Sequence, residues 1–124
     1  MDTDYLHAGL TGKILEASFQ VHNTLGAGFL EKVYENALAL ELRARGIGCG
    51  QQKSVAVRYR GTVVGEYAAD LIVDAKVIVE LKALTALDGV HEAQLLNYLR
   101  ASGLRVGLLL NFGRPRLEYR RLVL

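Results

Sequence analysis

Hydrophobic positions along the chain change their period three times. Leu10, Ile14, Ala17, Val21 and Leu25 recur every three or four residues, so one face of a helix is predicted over 10–25. Gly26-Ala27-Gly28 interrupts it. This G-x-G has no strand before it and no third glycine at the required place, so it reads as a turn between helices and not as a dinucleotide loop. A second helix is predicted over 29–45, with Phe29, Val33, Ala37, Leu40 and Ala44 as its core face and Gly46 as its stop. The Gly/Gln-rich stretch 48–52 reads as a turn. The period then drops to two. Val55, Val57 and Tyr59 alternate with Ser54, Ala56 and Arg58 over 54–59, and after the Arg60-Gly61 turn two more strands are predicted over 63–73 and 77–83.

Helical spacing returns after that antiparallel meander. Asp88 suits an N-cap, Val90, Ala93, Leu96 and Leu99 suit a packed face, and Gly103 suits the stop. His91, Gln94 and Tyr98 line up along the flank of the same helix. The almost wholly apolar run 106–111 reads as a strand buried on both faces. Pro115 permits a break, and 117–124 is a last, edge strand. The order is α-α-β-β-β-α-β-β. A crossover helix between Leu81 and Val106 sets those two strands parallel. The expected fold is therefore α/β, one domain over 1–124, with a central mixed sheet and helices on both sides.

Composition narrows the class. At 51% hydrophobic residues, 124 residues build a real, mostly aliphatic core. A net charge of +2 is too small to identify a nucleic-acid binder. The single cysteine, Cys49, excludes an internal disulfide and a four-cysteine metal site, and points to a reduced, cytoplasmic setting. MDTDYLHAGLTGK lacks the basic and apolar regions of a signal peptide. No apolar run approaches the roughly 20 residues of a membrane helix.

Three residues break the hydrophobic pattern where a charge costs most. Asp70, Glu80 and Lys82 sit inside the apolar strands of AADLIVDAKVIVELK. Side chains alternate along a strand, so Glu80 and Lys82 share a face. A three-residue turn at Asp74-Ala75-Lys76 pairs Val73 with Val77 and sets Asp70 opposite Glu80. A two-residue turn would set Asp70 against Val79 instead. Opposed β-carbons lie roughly 4.5–5.5 Å apart. Two carboxylates at that distance repel unless a cation sits between them, and Mg²⁺ binds oxygen at about 2.0–2.1 Å. The plainer alternative is that Lys82 neutralises Glu80 on a solvated face. Glu31 and Glu35 have a plain reading too, as acidic residues favoured by the dipole at a helix start.

Asp70 followed after nine residues by Glu80-x-Lys82 resembles the motif of the PD-(D/E)xK nuclease superfamily, with Ala69 where a proline is usual. Gln94-Leu-Leu-Asn-Tyr98 resembles the Q-x-x-x-Y motif of its RecB and λ-exonuclease branch. Gly28-Phe-Leu-Glu31-Lys-Val-Tyr34, His91-x-x-Gln94-x-x-x-Tyr98-Leu99 and Asn111-Phe112-Gly113 look like the small GxxExxY proteins of the same superfamily.

The resemblance implies a restriction-endonuclease-like fold and metal-assisted phosphodiester hydrolysis. Asp70 and Glu80 would hold Mg²⁺ or Mn²⁺ with the backbone carbonyl of Leu81. Lys82 would orient the attacking water, and Glu31 would complete the shell or hold a second ion, although either Glu31 or Glu35 resembles the additional acidic position of the superfamily. Gln94, Tyr98, His91, Tyr34 and Arg116 would contact substrate, with Arg114, Arg120 and Arg121 as further phosphate grips. For His91 a place on the helix surface or in the core is an equal alternative, and for at least two of the arginines a solvated edge strand is the plainer one. The expected substrate is nucleic acid, DNA before RNA, and so small a domain is expected to self-associate or join a larger complex. The alternative is a nuclease-fold binding or assembly module that does not cut.

Overall fold

A computed structural model describes residues 6–124. The first five residues, where the reading of a missing leader and of a domain over 1–124 begins, lie outside the described residues. The elements are α1 (Ala8–Leu25), α2 (Glu31–Ala44), β1 (Cys49–Tyr59), β2 (Thr62–Val73), β3 (Val77–Lys82), α3 (Gly89–Ser102), β4 (Val106–Asn111) and β5 (Glu118–Val123). The strands form one sheet in the order β1-β2-β3-β4-β5. Only β3 and β4, the pair joined through α3, run parallel.

The sheet separates two cores. Ile14, Ala17 and Val21 of α1 and Tyr34, Leu38 and Leu42 of α2 pack on Leu71, Val79, Leu81, Leu108 and Leu110. Leu95, Tyr98 and Leu99 of α3 pack on Val55, Ile78 and Leu109 from the other side. All six residues of β4 are buried, as its apolar run predicts. Asp88 caps α3, its carboxylate accepting from the Val90 N–H at 2.9 Å, and Gly103 stops the helix with φ 76°.

Three local expectations are corrected. The packed face of α2 is Tyr34, Glu35, Leu38, Ala39 and Leu42, one residue round from the predicted stripe, and Leu40 is left 70% exposed. Apart from Glu35, both stripes are apolar. The one that faces the sheet carries the aromatic ring and two leucines, and so removes more apolar surface from water. In α3 the packed face is Leu95, Tyr98 and Leu99, while Val90 is 73% exposed. The reason lies in β4. A β-carbon at Gly107 would stand 2.9 Å from both Leu95 methyl carbons, so the glycine opens the notch that Leu95 fills. Finally, 49–52 is strand and not turn: β1 begins at Cys49 and pairs with the far end of β2.

The sheet is uneven in a way that matters for the site. Ten of the twelve residues of β2 pair with β1, from Thr62 to Val73, but only Leu71–Val73 pair with β3. The outer part of the β1–β2 hairpin therefore leaves the sheet as a two-stranded arm. Asp70 is the first residue past the fork.

Candidate active site

The turn between β2 and β3 sets the register. Asp74 and Ala75 take left-handed φ values of 50° and 54°, and the Lys76 N–H donates to the Val73 carbonyl at 2.9 Å. Val73 pairs with Val77 and Leu71 with Val79, so Asp70 faces Glu80 as the three-residue turn predicts. There the ladder is replaced by side chains. The Asp70 N–H donates to Glu80 Oε1 at 3.2 Å, and the Leu81 N–H donates to Asp70 Oδ2 at 2.9 Å. Each carboxylate accepts from the backbone across the fork, which fixes both.

Burial and mutual repulsion then act on the pair. Burial first, and the charge and hydrogen bonding of Asp70 second, push the Glu80 carboxyl up to about 9, while Lys82 weakly opposes this. A proton on Glu80 therefore does what a cation would do: it cancels one of two opposed charges. Lys82 is half-buried and has no carboxylate within 4.0 Å among the described residues. Burial first, and then the charges of Glu80, Tyr67 and Asp70, push the pKa of the Tyr98 hydroxyl up. Its ring lies 5.1 Å from that of Tyr67 on the arm.

A third carboxylate reaches the site through an amide. Gln52 takes φ 51° and sits between the pairs Gln51–Leu71 and Lys53–Ala69, facing Asp70. Its Nε2 donates to Glu35 Oε1 at 2.7 Å and to Asp70 Oδ1 at 3.2 Å. Glu35 is buried, and its Oε2 accepts from Gln51 Nε2 at 2.8 Å and Lys32 Nζ at 2.9 Å. Glu31 is exposed at the first position of α2, with no hydrogen bond to this network. Of the two candidate glutamates, the helix rotation selects Glu35, one turn deeper.

The remaining predicted residues divide. His91 is the N3 residue of a capping box, its Nδ1 accepting from the Asp88 N–H at 3.1 Å, which leaves only Nε2 free. Gln94 is exposed on the same helix, four residues before Tyr98. Arg116 is exposed beyond the end of β4, whose Asn111 pairs with Lys82. Its neighbours are engaged: Arg114 and Arg120 with Glu118, Arg120 also with Glu92, and Arg121 with the Leu6 carbonyl.

Tyr34 is corrected outright as a substrate contact. It is fully buried, stacked on Phe112 at 4.7 Å, and its hydroxyl donates to the Gly26 carbonyl at 2.5 Å and accepts from the Phe29 N–H at 3.1 Å. It ties the glycine turn to the core. Asn111-Phe112-Gly113 has a matching task, since the buried Asn111 amide binds the backbone of Leu84 and Gly113 and the carboxylate of Glu118.

The donor set fits a hard divalent cation. Two carboxylates converge from opposed strands, and Mg²⁺ is commonly held through one or two carboxylates and its own waters. No three His, Cys, Asp or Glu side chains cluster around one point among the described residues. Glu35 enters through Gln52.

Comparison with known proteins agrees with this fold. A family model described as the PD-(D/E)XK nuclease superfamily matches residues 8–122. The crystal structure of SSO0001 is similar in fold, with a TM-score of 0.56 and 18% identity over 74% of this chain and 48% of that one. The chain thus spans about half the length of that protein. No curated protein matches. No helix among the described residues is long and apolar enough to cross a membrane.

Proposed function

The chain belongs to the PD-(D/E)XK nuclease superfamily, and from that premise we propose that it is a Mg²⁺- or Mn²⁺-dependent enzyme hydrolysing phosphodiester bonds in nucleic acid, DNA before RNA. The observation that carries this is the fork: Asp70 and Glu80 face each other, each accepting a backbone N–H from the other's strand, and Lys82 shares the Glu80 face.

In this reading Asp70, Glu80 and the Leu81 carbonyl hold the ion. Glu35 takes the place considered for Glu31, acting through Gln52. The ion supplies charge neutralisation at the phosphate and a more acidic water. The Lys82 ammonium orients the attacking water and stabilises negative charge as it develops. Gln94 and Tyr98 contact the scissile phosphate or its neighbouring nucleotide, with the free Nε2 of His91 and the Arg116 guanidinium further out. Within the superfamily the proposed relatives are the GxxExxY proteins, a reading supported by the resemblance at Gly28, Glu31 and Tyr34, and the RecB and λ-exonuclease branch, supported by the resemblance at Gln94 and Tyr98. A cytoplasmic setting and self-association, or a larger complex, complete the proposal.

Calorimetric titration with Mn²⁺ tests the ion site: the wild type binds and Asp70→Ala does not, and equal binding by both rejects it. Lys82→Ala is expected to keep the ion and to cut labelled DNA about 10²–10³-fold more slowly. Ion binding by the wild type without cleavage of single- or double-stranded DNA or RNA would instead favour a binding or assembly module.

A further inference from the structure

Outside the carboxylate fork, a hollow runs between the β1–β2 arm and the C-terminal half of α3. Its floor is apolar and half-buried, made by Val57, Ile72 and Leu104. Arg58 of the arm and Arg100 of α3 stand on its two rims, both exposed. Neither has a carboxylate within 4.0 Å among the described residues, whereas Arg45, Arg114 and Arg120 all do. Tyr67 closes the end of the groove, 48% exposed, with its ring against Tyr98. Tyr67 and Ile72, which both line the groove, lie three residues before and two residues after Asp70 on β2. The groove therefore leads to the fork past one accessible aromatic ring.

We propose that this groove binds a single nucleic-acid strand, with its phosphates on Arg58 and Arg100 and a base stacked on Tyr67 beside the fork. This deepens the nuclease reading and rests on it for the class of ligand. The choice of a single strand follows from chemistry. A duplex presents its charged backbone outward and hides its bases, so it would leave the apolar floor uncovered. An unpaired strand is amphipathic in the same way as the groove, with apolar base faces to one side and phosphates to the other. Arg58 and Arg100 have no carboxylate to neutralise them among the described residues, Arg100 donating only to the neutral Asn97 Oδ1 at 3.0 Å, and each phosphate neutralised on a single strand adds about 0.7 to the salt slope.

Fluorescence anisotropy in EDTA, where metal-dependent cutting is suppressed, tests this with a labelled DNA strand and with the same sequence as a blunt duplex. The single strand is expected to bind at least tenfold tighter. Arg58→Ala/Arg100→Ala is expected to weaken strand binding at least tenfold and to lower the salt slope by about 1.4, two phosphates' worth. Tyr67→Ala should weaken binding with the salt slope unchanged, and Tyr67→Phe should restore it. Circular dichroism of each variant separates lost binding from lost folding. Equal affinity for strand and duplex overturns the proposal, and so does an arginine variant that folds and keeps the wild-type affinity and slope. The nuclease reading fails separately, in the Mn²⁺ titration with Asp70→Ala, which does not involve the groove.

Discussion

Replacing Glu80 by Gln should stabilise the metal-free protein, and by an amount that depends on pH. An ordinary glutamate ionises near 4.5, whereas burial and Asp70 hold Glu80 as the neutral acid up to about 9. The folded state therefore binds the proton more tightly than the unfolded state. That contribution to stability is complete below pH 4.5 and drains away as pH rises towards 9, because the unfolded chain is free to ionise and the folded one is not. Each pH unit in that window is worth about 1.4 kcal/mol. From pH 4.5 to pH 7 the loss is thus on the order of 3 kcal/mol. Glutamine has no proton to lose and preserves the geometry: its Oε1 accepts from the Asp70 N–H as Glu80 does, and its amide donates towards the Asp70 carboxylate. Urea unfolding of wild type and Glu80→Gln in EDTA, at several pH values from 4.5 to 8, reads the difference directly. The variant should gain steadily on the wild type as pH rises. A stability difference that is flat with pH, or that shrinks as pH rises, refutes the account of Glu80 as a proton-holding member of a buried acid pair.

Other consequences follow from the same geometry. Mn²⁺ must displace the Glu80 proton, so apparent affinity should rise about tenfold per pH unit between roughly 5 and 8, with close to one proton released per ion in calorimetry across buffers of different ionisation enthalpy; affinity independent of pH counts against displacement. Gln52→Ala removes the donor shared by Glu35 and Asp70 and should weaken Mn²⁺ binding several-fold, as loss of a group orienting metal ligands does. Tyr34→Phe should cost about 1–2 kcal/mol in urea unfolding, by orphaning the Gly26 carbonyl, while Mn²⁺ affinity stays at the wild-type value. Gly113→Ala would set a β-carbon 2.4 Å from the backbone N and O of Leu84, so it should lower the melting temperature by more than any of these, and a wild-type melting curve would contradict that placement.

Some of this was legible from residues alone and some was not, for identifiable reasons. The β2–β3 register depends only on a short turn, and three residues between two apolar runs were enough to set Asp70 against Glu80. Which glutamate of α2 is joined to Asp70 depends on a helix face, and α2 is apolar on two stripes, so periodicity does not choose between Glu31 and Glu35. That choice is tertiary: it follows from Tyr34 stacking on Phe112, a residue nearly eighty positions away. Tyr34 serves the fold and not the site, because a turn tethered through its hydroxyl is as much a structural requirement as a ligand is a chemical one.

Gln52 shows most clearly where counting along the chain stops working. Counting back from the Arg60-Gly61 turn pairs Gln51 with Asp70. The ladder does not keep that count, because its register shifts between Val57 and Arg58: Arg58 pairs with Val63, but Val57 pairs with Gly65. One residue is absorbed, and Gln52 arrives opposite Asp70 instead. The left-handed φ at Gln52 is unusual for a residue other than glycine, asparagine or aspartate and carries a conformational cost. It persists because the amide then meets Glu35 and Asp70 together. The bulge in the arm and the strained glutamine at its base are thus two halves of one adjustment. It lets a sheet that must fork at Asp70 still join the carboxylate of α2 to the carboxylates of β2 and β3.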